Sequence, residues 1–183
     1  MNATVMWESL QWPGAEHLVI ETEPGAIVAD GMVVALDGRP LRLHYRVSCD
    51  PDWTTRRLMI QDAGGEVLTF RSDGTGTWTD GTGRSVESLA GCIDVDIAAT
   101  PFTNTLPIRR LGLQPGEARD LRVLYVTVPE MTVRAADQRY TCLELSDTGG
   151  LYRYESGSFM ADLRIDADGL VVDYPGLWRR LWP

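Results

Sequence analysis

The sequence predicts a mainly β fold in which a many-stranded antiparallel sheet surrounds one central α-helix. Short segments rich in Val, Ile, Leu and aromatic residues recur about every 8–12 residues with turn residues between them, which is typical of sandwiches and barrel-like sheets. Leu89–Leu113 departs from this pattern, because it leads from a strand into a helix start. A chain of 183 residues can form one large domain, and we predict a single domain over residues 1–183.

The N-terminal part predicts a series of strands separated by turns. Leu41, Leu43, Tyr45 and Val47 alternate with polar residues, as on a half-buried antiparallel strand. Two further strands are predicted at 17–22 and 26–36, and the turns that separate the strands contain Pro or Gly.

Ser72–Gly83 is the most polar and glycine-rich stretch of the chain. A disordered linker would have little use for the large apolar side chain of Trp78 at its centre. We therefore predict a short strand at Trp78 between two Asp-Gly turns, and no domain boundary here.

Thr103–Gly112 predicts the central helix. Thr103, Asn104 and Thr105 are candidate N-caps. Pro107 is tolerated in the first turn, where its missing N–H is not needed. The helix would be apolar around much of its circumference, so it would be stable only if other elements enclose it.

The C-terminal part predicts a second series of strands, at 122–128, 139–146, 151–156, 159–165 and 170–174. The imperfect alternation within 139–146 indicates a bulge. Leu41–Trp53 and Asp162–Pro175 share a strand–acidic turn–strand pattern, which suggests two related halves. In the tail, Trp178, Leu181 and Trp182 have helical spacing, and we expect an apolar stripe that packs on the sheet or contacts a second subunit.

Charge and motif content exclude several functions. The net charge is −9, every basic residue is Arg, and no Arg cluster exceeds a pair, so we expect no binding to nucleic acid. A P-loop needs a Lys that the chain lacks. No window approaches the ~20 apolar residues of a membrane span, and no secretory signal is evident, so we expect a cytoplasmic protein. Cys49, Cys92 and Cys142 are predicted to be reduced.

Asp94 and Asp96 are the most enzyme-like pair. On one face of a strand they would lie about 6–7 Å apart, a spacing used by paired carboxylates in glycoside hydrolysis. The alternatives are a solvated strand face, or ion pairs with the arginines of the helix. His17 and His44 have no partner at a metal-ligand spacing, and G-x-S-x-G is absent. We predict no metal, no cofactor and no catalytic residue.

The segment GCIDVDIAATPFTNTLPIRRL, from Gly91 to Leu111, resembles the core motif of the Putative glycolipid-binding family. Further matches include GAEHL, VPEMTV and GLVVDYPGLWRR, so the resemblance covers nearly the whole chain. It implies a spiral β-roll, in which a many-stranded sheet wraps around one α-helix, and a bacterial homodimer. The sheet of this family is similar to that of periplasmic lipoprotein carriers, which implies a glycolipid ligand.

We therefore expect a non-enzymatic protein that binds an amphipathic ligand such as a glycolipid. An apolar groove between the sheet and the helix would hold the lipid, and polar groups at its rim would hold the head group. The candidate ligand-binding residues are Asp94, Asp96, Asn104, Arg109 and Arg110. The structural alternative is that Arg109 or Arg110 bridges to Asp94 or Asp96 and holds the helix on the sheet. Two other functions stay open: a hydrolase acting on a carbohydrate or lipid ester, and an interaction dimer without a small-molecule ligand.

Overall fold

Fourteen strands form one continuous sheet in the computed structural model, which describes residues Met1–Pro183. The predicted mainly β class is confirmed. The strands are β1 (Ala3–Ser9), β2 (Gly14–Glu23), β3 (Ala26–Asp37), β4 (Arg39–Cys49), β5 (Thr55–Asp62), β6 (Val67–Ser72), β7 (Trp78–Asp80), β8 (Asp94–Ile97), β9 (Ala118–Val126), β10 (Val133–Ser146), β11 (Gly149–Ser156), β12 (Phe159–Asp166), β13 (Val171–Tyr174) and β14 (Trp178–Trp182).

Two meanders make up the sheet. Strands β1 to β7 lie side by side in chain order, as do β9 to β14, and the halves join where β1 pairs with β14. Short turns connect consecutive strands, so these pairs are antiparallel. At one end of the sheet β8 instead pairs in parallel with β9, because the helix α1 (Thr105–Leu111) carries the chain back between them. The predicted antiparallel sheet thus contains one parallel pair.

The helix lies where it was predicted, but it is shorter. A 3-10 turn at Phe102–Asn104 precedes it, so the α-helical part begins at Thr105 and ends at Leu111. Asn104 occupies the N-cap position without a capping hydrogen bond from its side chain. Gly112 ends the helix in the left-handed conformation, with φ 56°. The first four helical residues are buried, as expected for a helix enclosed by other elements.

Five turns that follow strands share one geometry. Each begins with an Asp whose carboxylate accepts a hydrogen bond from the backbone N–H four residues later, and the fourth residue of each turn has a positive φ. Glycine fills that fourth position in four of the turns, but Trp53 fills it in the first, with φ 65°. The left-handed conformation is unfavourable for a residue with a side chain, and the burial of the Trp53 ring in the core offsets that cost.

The two segments with similar sequences occupy equivalent places in the two meanders. Leu41–Trp53 contributes to the β4–β5 hairpin and Asp162–Pro175 to the β12–β13 hairpin. β4 and β5 are the fourth and fifth strands of the series β1–β6, and β12 and β13 are the fourth and fifth strands of the series β9–β14. Both hairpins contain the Asp turn just described, beginning at Asp50 and at Asp166.

The tail is a strand, so the prediction of an apolar stripe at helical spacing was wrong. β14 pairs with β1 and with β13. Trp178 is buried in the core, whereas Leu181 and Trp182 are exposed, so the three side chains do not share one surface. The bulge predicted in β10 is confirmed, between Cys142 and Glu144. The three cysteines are buried and unpaired. The α-helix has seven residues, and the structure contains no helix that could span a membrane.

Trp78 connects the glycine-rich segment to the core. The predicted short strand is present as β7. Trp78 is only 1% exposed, and its Nε1 donates a hydrogen bond of 2.8 Å to the carbonyl oxygen of Cys92. This bond joins β7 to the residues that lead into β8.

Replacing Trp78 with Phe should lower the free energy of unfolding by about 1–3 kcal/mol, because the buried Cys92 carbonyl loses its donor. Urea denaturation followed by circular dichroism measures the loss. The matched change in the exposed Trp182 to Phe should stay within about 0.5 kcal/mol. Equal unfolding midpoints for the two variants would contradict this role of Trp78.

Candidate ligand-binding cleft

A cleft of about 340 Å³ lies beside the start of the helix. β8 and the loop after it form one wall, and the meander β9–β14 forms the other. None of the residues Thr105–Leu111 of α1 lines this cleft. The cleft therefore adjoins the loop before the helix rather than the helix itself. The lining residues are Asp96, Ile97, Ala98, Thr100 and Asn104 on the loop side, and Tyr125, Arg134, Tyr154, Ser156, Phe159, Tyr174, Leu177 and Trp178 on the other.

Aromatic rings dominate the sheet side of the cleft. The Tyr154 ring lies 6.0 Å from that of Phe159 and 6.4 Å from that of Tyr174, between centroids. Behind it the Tyr140 ring lies 5.3 Å away at a steep angle. Such tilted and edge-to-face contacts stabilise aromatic clusters. The wall therefore offers ring faces and edges against which sugar rings or alkyl chains could pack.

Asp96 supplies the carboxylate of the cleft. Its Oδ1 accepts a hydrogen bond of 3.1 Å from Thr103 Oγ1, and its Oδ2 accepts bonds of 2.5 Å from Gln138 Nε2 and 3.4 Å from the Tyr154 hydroxyl. Burial raises the pKa of Asp96, while these hydrogen bonds act in the opposite direction. Three donors from three elements thus hold the carboxylate in one position.

Asp94 has different partners, although it shares a strand with Asp96. Arg110 on the helix donates to it twice, with Nε 2.9 Å from Oδ1 and Nη2 2.5 Å from Oδ2. The Asp94 side chain is 1% exposed, and burial raises its pKa while Arg110 opposes that rise. Neither residue lines the cleft. The ion pair joins α1 to β8, which is the structural alternative considered from the sequence.

Arg109 lies away from both aspartates and from the cleft. It is exposed, and its guanidinium carbon lies 5.4 Å from the centroid of the Trp53 ring, in a cation–π arrangement. It lines a separate cavity of about 190 Å³ at the other end of the helix. The sequence-based pairing of Arg109 with an aspartate is therefore not formed.

Asn104 lines the cleft, but both polar atoms of its side chain have partners. Nδ2 donates to the Pro101 carbonyl at 3.1 Å, and Oδ1 accepts from the Tyr140 hydroxyl at 2.8 Å. Of the five candidate ligand-binding residues, the cleft thus brings together only Asp96 and Asn104.

Sequence reasoning missed the aromatic wall and Arg134. These side chains come from strands β9 to β14, and no local spacing connects them. One signal was present in the composition, because five of the six tyrosines follow the helix. That concentration could have indicated an aromatic surface in the second half of the chain.

A smaller cavity of about 230 Å³ adjoins the cleft and shares Ala98, Leu177 and Trp178 with it. We name it the side cavity; beyond the shared residues it is lined by Gln11, Trp12, Asp37, Arg39, Leu41, Ala99, Val128 and Pro129. The rings of Trp12 and Trp178 meet edge to face at 5.2 Å. The cleft and the side cavity together form a groove. At its second end, apolar side chains such as those of Trp12 and Leu41 lie beside the polar side chains of Gln11, Asp37 and Arg39.

Glu16 lies fully buried behind the loop that forms the cleft wall. Its Oε1 accepts hydrogen bonds from the Tyr45 hydroxyl and, at 2.8 Å, from Thr100 Oγ1, whereas Oε2 has no partner. Burial raises the pKa of Glu16 from 4.5 to about 8. Because Thr100 lines the cleft, this carboxyl group helps to position the wall.

The residues considered for hydrolysis do not meet in the cleft. His44 Nε2 lies 2.9 Å from Asp30 Oδ1, but both residues are outside the cleft, which contains no histidine. Asp94 forms an ion pair with Arg110, so it does not form an acid–base pair with Asp96. No group of three or more His, Cys, Asp or Glu side chains is placed to hold a metal ion.

Comparison with known proteins agrees with this architecture. The family model described as Putative glycolipid-binding matches residues 4–180. The chain is 39% identical to a DUF1089 family protein from Pseudomonas aeruginosa whose crystal structure was determined at 1.80 Å resolution, with a TM-score of 0.79 over 91% of this chain and 92% of that one. No curated protein matches the sequence. Because the family model covers nearly the whole chain, this protein belongs to the Putative glycolipid-binding family.

Proposed function

We propose that this protein binds an amphipathic ligand, such as a glycolipid, without chemically transforming it. One observation carries the proposal: an aromatic cleft that contains a firmly held carboxylate adjoins a side cavity in which Trp12, Leu41 and Val128 provide apolar surface. The description of the family supports the same class of ligand.

The two parts of the groove suit the two parts of such a ligand. The rings of Tyr154, Phe159 and Tyr174 could pack on the apolar face of a sugar, and Asp96 could accept hydrogen bonds from its hydroxyl groups. The alkyl chain would run past Trp178 into the side cavity. A cleft of about 340 Å³ lies at the lower end of the range of small-molecule sites, so it would hold a head group and the adjoining part of a chain.

The proposal uses two of the five candidate residues, Asp96 and Asn104. Asp94 and Arg110 hold the helix on the sheet, and Arg109 lies at the far end of the helix. The hydrolase alternative gains no support from the cleft, whose only carboxylate is that of Asp96.

A homodimer is proposed alongside ligand binding. Trp182 is 62% exposed and Leu181 is 54% exposed on β14, and a second copy could cover such apolar side chains. Sedimentation equilibrium of the purified protein tests this, and a monomer at all concentrations would reject it.

Replacing Asp96 with Asn should weaken binding of octyl glucoside about tenfold or more, because a charged acceptor becomes a neutral one. Tryptophan fluorescence reports the titration, since Trp178 lies in the groove. Asp162→Asn is the matched control, because Asp162 pairs with Arg153 outside the cleft and its loss should leave the affinity unchanged. Equal affinities for both variants would show that Asp96 does not contact the head group. If octyl glucoside does not bind to the unmodified protein, the proposed binding of an amphipathic ligand is rejected.

Native mass spectrometry of the protein purified from its own cells would identify the natural ligand. A co-purifying lipid with a sugar head group is the expected result. A lipid without a sugar would keep the carrier function but change the class of ligand.

A further inference from the structure

We propose that the head group bound in this cleft carries an anionic oxygen of the phosphate, sulfate or carboxylate class. This inference rests on the proposed function, because it concerns the same cleft. Its basis is a set of hydrogen-bond donors that lack protein acceptors, on Arg134, Tyr174 and Trp178, next to acceptors that already have their donors.

Arg134 provides the positive charge. It lines the cleft and forms no ion pair; its only hydrogen bond, of 3.4 Å, goes to the carbonyl of the next residue. Its guanidinium carbon lies 4.7 Å from the centroid of the Tyr125 ring. Stacking on a ring leaves the edge of the guanidinium available, and that edge can bind an oxyanion through two parallel bonds.

Tyr174 and Trp178 add two neutral donors. They are 6% and 4% exposed, yet neither the Tyr174 hydroxyl nor Trp178 Nε1 makes a hydrogen bond, and neither atom is sealed inside the protein. The buried Trp7 and Trp78, in contrast, both donate to backbone carbonyls. In the free protein water can accept from both donors, so a ligand that displaces this water must supply an acceptor of its own.

Most of the acceptor capacity in the cleft is already used, and Asp96 has room for about one further donor. Asp96 receives three hydrogen bonds, and the Asn104 oxygen receives one from Tyr140. Sugar hydroxyls both donate and accept, so a neutral sugar would find few free acceptors for its own protons. An oxyanion only accepts, and it therefore matches the donors that are left. The chain carries a net charge of −9, and the positive charge of Arg134 already acts on Asp96, whose pKa it lowers. An anion would therefore bind on the side of Arg134 that faces away from this carboxylate.

Calorimetric titration with octyl phosphate and with octyl glucoside tests the inference, because the two amphiphiles share one tail. Octyl phosphate should bind about 10- to 100-fold more tightly at low salt, and high salt should reduce the difference. Arg134→Met should remove most of that advantage and change the affinity for octyl glucoside about twofold or less. Tyr174→Phe should weaken the binding of octyl phosphate severalfold, because one hydroxyl donor is lost.

Arg57→Met is the matched control. Arg57 is exposed on β5 in the other half of the sheet and forms no ion pair, so its loss should leave both affinities unchanged. Inorganic phosphate should bind much more weakly than octyl phosphate, and equal binding would assign the site to a free anion.

The two proposals fail in different ways. Octyl glucoside binding as tightly as octyl phosphate, with no effect of Arg134→Met, would overturn the anionic head group and leave the proposed function standing. If neither amphiphile binds, the proposed function is rejected and this inference with it.

Discussion

Replacing Arg110 with Ala should lower the free energy of unfolding by about 3–5 kcal/mol, because it leaves the Asp94 carboxylate buried without its partner. Asp94 is 1% exposed, and both of its oxygens accept from Arg110. Urea denaturation at neutral pH measures the loss. Since the ion pair joins α1 to β8, we expect the variant to lose the attachment of the helix before the rest of the sheet unfolds, and hydrogen exchange of the helix amides would reveal this.

The neighbouring residue provides the control for this prediction. Arg109 is exposed and contacts the Trp53 ring rather than an aspartate, so Arg109→Ala should cost about 1 kcal/mol or less. The double change Asp94→Leu with Arg110→Met should recover most of the lost stability, because an apolar pair leaves no buried charge. Equal losses from Arg109→Ala and Arg110→Ala would show that the ion pair does not hold the helix.

Replacing Glu16 with Gln should remove a large pH dependence of stability. The folded-state pKa of Glu16 is about 8, above its ordinary value of 4.5, so folding favours the protonated form. The contribution of this group to stability is full below pH 4.5 and decreases as the pH rises towards 8, by about 1.4 kcal/mol per pH unit. The total is on the order of 4–5 kcal/mol.

Gln keeps the shape of Glu and carries no charge at any of these pH values. The variant should therefore match the unmodified protein near pH 4 and exceed its stability at pH 8, as measured by urea denaturation across this range. Glu21→Gln, a change at an exposed position, should leave the decline with pH in place. If the stability of the Glu16→Gln variant declines with pH as that of the unmodified protein does, the buried carboxyl group is not the cause of the pH dependence.

Much of the strand pattern could be predicted because it depends on neighbours in the chain. The side chains of Leu43, Tyr45 and Val47 are buried on one face of β4, as their alternation requires. Trp78 lies in a short strand between Asp-Gly turns, and each Asp accepts from an amide only four residues away. In these cases a local period or a local hydrogen bond determines the structure.

The order of the strands could not be predicted in the same way. β1 and β14 pair although Glu8 and its partner Arg179 are 171 residues apart, and β8 lies parallel to β9 only because a helix separates them. The tail illustrates the consequence. The spacing of Trp178, Leu181 and Trp182 also suits a helix, and the pairing of β14 with β1 makes the segment a strand.

In the candidate site, too, a local pattern predicts some features, whereas others depend on contacts between distant parts of the chain. The local pattern of residues is enough to predict that Asp94 and Asp96 alternate along one strand and that a helix with two arginines follows. The partners of these side chains depend on how the whole chain folds. Arg110 pairs with Asp94, whereas Asp96 meets Gln138 and Tyr154, which lie 42 and 58 residues further along the chain. The physical reason is that an alternating pattern orients a side chain locally, whereas its partners depend on which distant strands the sheet places beside it.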